Sequence, residues 1–125
     1  MKFLWSIIIL SINLQSFQES LSATQPPGDT SEYIKALWYD ANGNWDEAHK
    51  LIQDINDTNA SWIHAYLHRK EGDISNADYW YSKAGKNRPS VSSEMEWEQI
   101  ANALLWKILL IRWIKFDFYW IYLIN

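Results

Sequence analysis

Residues 33–48 read YIKALWYDANGNWDEA, and residues 62–77 read WIHAYLHRKEGDISNA. Offset by 29 positions, the two segments align without a gap and share one pattern. The pattern begins with an aromatic residue, Ile, any residue and Ala. Six residues separate this Ala from a Gly, which is followed directly by Asn or Asp, and a second Ala comes four positions after the Asn or Asp. Repetition at a fixed period is typical of repeat architectures. The sequence therefore predicts one structural unit that occurs twice.

Each unit is predicted to be a helical hairpin. Tyr33, Leu37 and Trp38 recur at i, i+4 and i+5, which is the spacing of one helical face, and the second unit repeats that spacing at positions 62, 66 and 67. Gly43 and Gly72 stand where these first helices should end, since glycine readily adopts the left-handed conformation of a C-terminal cap. The first helix of each hairpin is thus bounded by its own glycine.

The second helix of each unit has its own start signal. Asn44 with Glu47 three residues later forms a capping-box pattern, and Asp73 or Ser75 can cap the corresponding helix, which Gly85 ends. The small Ala residues of the shared pattern let paired helices approach closely. The predicted inward faces are Ala48, Leu51, Ile52 and Ile55 in the first unit, and Ala77, Trp80, Tyr81 and Ala84 in the second.

A fifth helix is predicted over residues 93–105, after Pro89 ends what precedes it. Ser93 with Glu96 is a second capping-box pattern, and apolar residues follow at helical spacing. These are Trp97, Ile100, Ala101, Leu104 and Leu105. The predicted fold class is all-α: two tandem helical hairpins and a C-terminal capping helix, together forming a helical repeat domain over residues 30–105.

The two ends differ in composition from this domain. Residues 1–25 begin with Lys2 and an apolar run to Leu14, and end in small residues around Ala23, which predicts a secretory signal peptide or a non-native leader. A true signal peptide would place the protein outside the cytoplasm, in the periplasm or secreted; the alternative is a cytoplasmic location. Residues 106–125 form a hydrophobic tail interrupted by charges, interpreted as a membrane-surface segment, the end of a buried helix or sequence unrelated to the fold.

Charge and composition narrow the classes of function. The 125 residues carry 11 basic and 15 acidic side chains, a net charge of −4, which argues against a nucleic-acid binder that relies on bulk charge. The chain has no Cys, so neither a disulfide scaffold nor a lipid-attachment cysteine is available. The sequence shows no Ser-His-Asp order, phosphate-binding glycine loop or paired catalytic carboxylates, and the prediction is a protein without catalysis or cofactor.

The second half of each unit resembles a known repeat family. Gly72-Asp73-Ile74-Ser75-Asn76-Ala77, followed by Tyr81, Ala84 and Pro89, is similar to the second half of a tetratricopeptide or Sel1-like repeat. Residues 35–105 also resemble a group of small uncharacterised bacterial helical proteins, through segments such as Ala36-Leu37-Trp38-Tyr39-Asp40 and 62–73. The first resemblance implies a superhelical array of hairpins. The second implies a small, soluble helical protein, and it supplies no known activity to carry over.

The repeat resemblance suggests a protein- or peptide-binding role. In tetratricopeptide repeats the first helix of each unit lines a concave surface, and aromatic side chains with a basic rim there suit a peptide that carries acidic groups. This hypothesis assigns the binding residues Tyr33, Leu37, Asp40, Trp62, Tyr66, Arg69 and Lys70. The partner is expected to be a protein or peptide, with no nucleic acid; membrane contact through residues 106–125 ranks below it.

His64 and His68 supply the alternative, a metal-binding protein or an enzyme. Four residues apart on one helix, they face the same way and could bind zinc or copper. The residues between them lack the Glu of a zinc peptidase helix, and the sequence indicates no third ligand. They are therefore predicted as weak metal candidates beside the simpler interpretation of a polar helix face.

Overall fold

The computed structural model describes residues 14–105 and Leu123. Within these residues the protein is all-helical, with six helices and no strand. Helix α1 comprises the described helical residues 14–20, and α6 comprises 93–105. Between them lie α2 (Glu32–Ala41), α3 (Trp45–Ile52), α4 (Thr58–Glu71) and α5 (Ile74–Lys83). The all-α prediction is confirmed.

The two predicted hairpins are present. Helix α2 packs on α3, and α4 packs on α5, while α4 also contacts both helices of the first hairpin. The second helices begin where the sequence indicates: the Asn44 side chain accepts a hydrogen bond from the Glu47 backbone N–H at 3.2 Å, and the Asp73 side chain accepts one from the Asn76 N–H. Each cap satisfies a donor that the first turn of a helix leaves unpaired.

Gly72 ends α4 in the left-handed conformation, with φ of 94°. We expect Gly72→Ala to lower the free energy of unfolding by about 1 kcal/mol, because a Cβ is strained at positive φ. Gly28 is the matched control, since a Cβ meets nothing within 4 Å at either glycine and only Gly72 has a positive φ. Urea denaturation should therefore show no loss for Gly28→Ala, and an equal loss for both variants would contradict this explanation.

One apolar core joins the first hairpin, α4 and α6. Its fully enclosed members include Ile34, Leu37, Ile63, Leu67 and Ile100, all 0% exposed. A smaller cluster lies between α4 and α5, where Ala65, Ala77 and Tyr81 are buried against each other. The small side chains Ala65 and Ala77 therefore lie at the contact between paired helices, as the repeat pattern predicts.

Tryptophan side chains attach the terminal helices to this core. The Trp97 indole of α6 donates to the Leu37 carbonyl at 3.0 Å and stacks on Phe17 of α1, with ring centroids 5.4 Å apart. The Trp38 indole donates to the Ser20 carbonyl at 3.0 Å. Because Phe17 is itself buried, α1 is part of the packed domain.

Helix α6 spans residues 93–105 as predicted, but its capping residue is one position earlier than predicted. The Ser92 hydroxyl, and not that of Ser93, accepts a hydrogen bond from the Met95 backbone N–H at 3.1 Å. Glu96 is 0% exposed and is engaged with side chains of α4 and α5 described below. Glu96, which its spacing from Ser93 predicted to be part of a capping box, is instead a buried carboxylate.

Most of the two end segments lies outside the described residues. That is true of residues 1–13 of the proposed leader and of the proposed hydrophobic tail, apart from Leu123. Among the helices of the described part, none is long and apolar enough to span a membrane.

Candidate metal centre

The three histidines of the chain meet at one place in the fold. His49 lies in α3, and His64 and His68 lie one turn apart in α4. Helix α3 ends the first hairpin and α4 begins the second, so the cluster lies across the junction of the two repeats. We call His49, His64 and His68 the histidine triad.

The ring nitrogens of the triad are within reach of a single ion. The Nε2 atoms of His49 and His64 are 2.8 Å apart, and one nitrogen from each of the three rings can be chosen so that all lie within 4.8 Å of one another. The ring centroids of His64 and His68 are 4.9 Å apart. Three imidazole nitrogens at this separation form the donor set typical of a zinc or copper site.

Two indoles fix the orientation of the rings. Trp45 stacks on His49 with centroids 4.7 Å apart, and its own Nε1 donates to the Leu67 carbonyl at 3.1 Å. Trp80 of α5 stacks on His64 at 3.9 Å. His49 is therefore held by an indole of its own helix that is anchored to α4, and His64 by an indole of α5, before any ligand binds.

Glu71 orients the third ring. Its Oε1 is 2.7 Å from Nδ1 of His68, so this nitrogen donates to the carboxylate, and Nε2 carries the lone pair that accepts from the Asn76 amide. The Asn76 amide nitrogen lies 3.3 Å from that Nε2. A carboxylate that accepts from the non-ligating nitrogen is the outer-shell arrangement typical of metal-binding histidines.

Burial favours the neutral form of His49 and His64. His64 is 5% and His68 7% exposed, whereas His49 is partly accessible. Burial, together with the neighbouring His49 and His68, lowers the pKa of His64 to about 3, and burial also lowers the pKa of His49. The neutral imidazole is the form that binds metal ions.

The residues predicted to line a peptide groove are not members of the triad, and most are paired within the protein. Leu37 is 0% and Tyr66 2% exposed. Buried Asp40 accepts from the Tyr66 hydroxyl at 2.7 Å and from Lys70 Nζ at 3.0 Å. On the first hairpin, the Tyr33 hydroxyl donates to Asp57, which raises the Tyr33 pKa to about 12.

Trp62 and Arg69, the remaining two, contact buried Glu96. Its carboxylate accepts from the Trp62 indole at 3.2 Å, from Arg69 Nη1 at 2.7 Å and from the Tyr81 hydroxyl at 2.7 Å. These contacts connect α4, α5 and α6. Burial and this carboxylate raise the pKa of Tyr81, so its hydroxyl stays a donor.

Sequence reasoning placed His64 and His68 on one face and missed His49 and the burial of Glu96. His49 is 15 residues before His64, and only the stacking of the hairpins brings them together. The available signal was its position after Ala48, which the repeat pattern placed at a helix contact. Glu96 carried no signal beyond its spacing from Ser93.

Comparison of the chain with known protein families, curated proteins and solved structures gives no match. The resemblance to tetratricopeptide or Sel1-like repeats therefore stays a prediction from the sequence motif.

Proposed function

We propose that this protein binds a divalent transition-metal ion, with Zn²⁺ as the reference ion, through the histidine triad. The observation that carries the proposal is the convergence of every histidine in the chain, three of three, on one point from two helices. Imidazole nitrogen suits zinc, copper and nickel, so the donor set defines this group of ions. The proposed role is metal binding without an assigned reaction.

The two closest ligand nitrogens, those of His49 and His64, require little rearrangement to accept the ion. Tetrahedral zinc with Zn–N bonds of about 2.0–2.1 Å separates two ligand nitrogens by about 3.3 Å. The Nε2 atoms of His49 and His64 are 2.8 Å apart, and one of them donates a hydrogen bond to the other. For both Nε2 atoms to bind the ion, the donor ring moves its proton to Nδ1 and the two rings part by about half an ångström, which side-chain rotation supplies.

The outer shell supports the same function. Glu71 holds the tautomer of His68 in which Nδ1 carries the proton and Nε2 carries none. The two indoles hold His49 and His64 in place. Ordered ligands lower the entropic cost of binding, because fewer rotamers are lost when the ion arrives.

Titration of the metal-free full chain with ZnCl₂ against a chromophoric chelator tests the proposal. We expect one Zn²⁺ per chain, and a loss of affinity of more than about 100-fold in His49→Ala, because loss of an outer-shell partner alone costs about 10–100-fold. His49 is the least buried of the triad, so this variant should keep its helical circular dichroism.

Lys50→Ala is the matched control, because Lys50 is the exposed neighbour of His49 on α3. Its Zn²⁺ affinity should stay within about twofold of the parent protein. Equal affinity of the parent and His49→Ala would show that the ion binds elsewhere, and failure of the parent to bind Zn²⁺ would refute the function.

The peptide-binding role stays a prediction from the sequence. Of its seven residues, Lys70 is exposed and Tyr33, Trp62 and Arg69 are partly accessible, and each has the intramolecular partner described above. A peptide would have to compete with those contacts.

A further inference from the structure

We propose that the metal bound by the histidine triad keeps one coordination position open for water or another small monodentate ligand, which makes it a Lewis-acid centre. This inference rests on the proposed function and adds what the bound ion can take. Metal sites with four protein ligands are closed and structural, whereas sites with three protein ligands hold a water molecule or substrate in the fourth position.

The ligand inventory of the chain supports three protein ligands. The sequence contains three His and no Cys, so neither a fourth imidazole nor a thiolate is available. Two carboxylates, those of Glu71 and Asp73, lie within 4.8 Å of a ring nitrogen of His68. Asp73 caps α5 by accepting from the Asn76 backbone N–H, and Glu71 is engaged at Nδ1 of His68. That nitrogen lies across the ring from Nε2, so the carboxylate acts on the ring and not on the ion.

The structure also has an open groove beside the metal centre. An open groove of about 470 Å³ is lined by Asp40, Gly43, Trp45, Asp46, Lys70 and Glu71. Two of its walls belong to the metal centre, because Trp45 stacks on His49 and Glu71 holds His68. His49 is the partly exposed member of the triad, and the groove lies beside the centre, against the side chains that contact His49 and His68.

The charges of the groove suit passage of a cation followed by water. Three carboxylates and one ammonium line it, and Lys70 is already paired with Asp40. Asp46 and Glu71 give the entrance a negative potential, which raises the local concentration of divalent ions. A water molecule on the bound ion becomes a much stronger acid than bulk water, so the chemistry offered is water activation.

Cobalt substitution gives the most direct test. Co²⁺ is added to the metal-free full chain, and sodium azide is titrated while the visible ligand-field bands are recorded. We expect the bands to shift with a saturation point of one azide per cobalt. A cobalt spectrum that does not respond to azide would overturn the open position and leave metal binding intact, whereas failure to bind Co²⁺ would remove both.

Asn76→Ala provides the second arm of the experiment, because its amide lies beside Nε2 of His68. The variant should respond to azide as the parent does. If azide shifts the cobalt bands of Asn76→Ala and not those of the parent protein, the Asn76 carbonyl oxygen fills the fourth position in the parent. That result would also overturn the proposal.

Discussion

Glu96→Ala is expected to lower the free energy of unfolding by about 3–5 kcal/mol, because it leaves a largely buried guanidinium without its counter-charge. The Glu96 carboxylate is 0% exposed, and the side chain of Arg69, its ion-pair partner at 2.7 Å, is 15% exposed. The substitution also leaves the Trp62 indole and the Tyr81 hydroxyl without their acceptor. Domains of this size have a total stability of about 5–15 kcal/mol, so the variant should be close to unfolding at room temperature.

Glu98→Ala is the control for this prediction. Glu98 is an exposed residue two positions along the same helix, and its loss should change stability by no more than about 0.5 kcal/mol. Urea denaturation followed by circular dichroism measures both variants. A loss below about 1 kcal/mol in Glu96→Ala would show that the buried carboxylate does not hold α6 to the second hairpin.

Saturating Zn²⁺ is expected to raise the melting temperature of the full chain by about 10–20 °C. An ion that binds only the folded state stabilises it by about 2.7 kcal/mol at a free concentration 100 times its dissociation constant. For a domain of 60–100 residues, each kcal/mol shifts the melting temperature by about 4–8 °C. The ligands come from α3 and α4, which belong to different hairpins, so the triad assembles only when the hairpins stack.

The thermal experiment has an internal control in His64→Ala. His64 is the central ring of the cluster, in contact with both other histidines. The variant should melt at the same temperature with and without Zn²⁺, even though loss of its packing lowers that temperature. An equal rise in the parent and in His64→Ala would show that stabilisation comes from Zn²⁺ bound outside the triad.

The hairpins could be predicted from the sequence because their signals are local. The apolar period of α2 and α4, the caps at Asn44 and Asp73, and the glycine that ends each first helix all act within a few residues. Each of these features appears in the structure at the predicted position or within one residue of it.

The site could be predicted only in part, because its ligands come from two helices. The spacing of His64 and His68 places them on one face, which is a property of a single helix. The approach of His49 depends on how the first hairpin packs on the second, and no local pattern encodes that angle. The same holds for Glu96, whose three donors are 15 to 34 residues away along the chain.

X-ray absorption at the zinc K-edge, recorded on the full chain loaded with one equivalent of Zn²⁺, tests the histidine triad most directly. The expected spectrum contains three imidazole nitrogens at about 2.0–2.1 Å and the outer-shell scattering of their rings. A zinc environment made of oxygen ligands with one imidazole or none would contradict the triad as a metal centre.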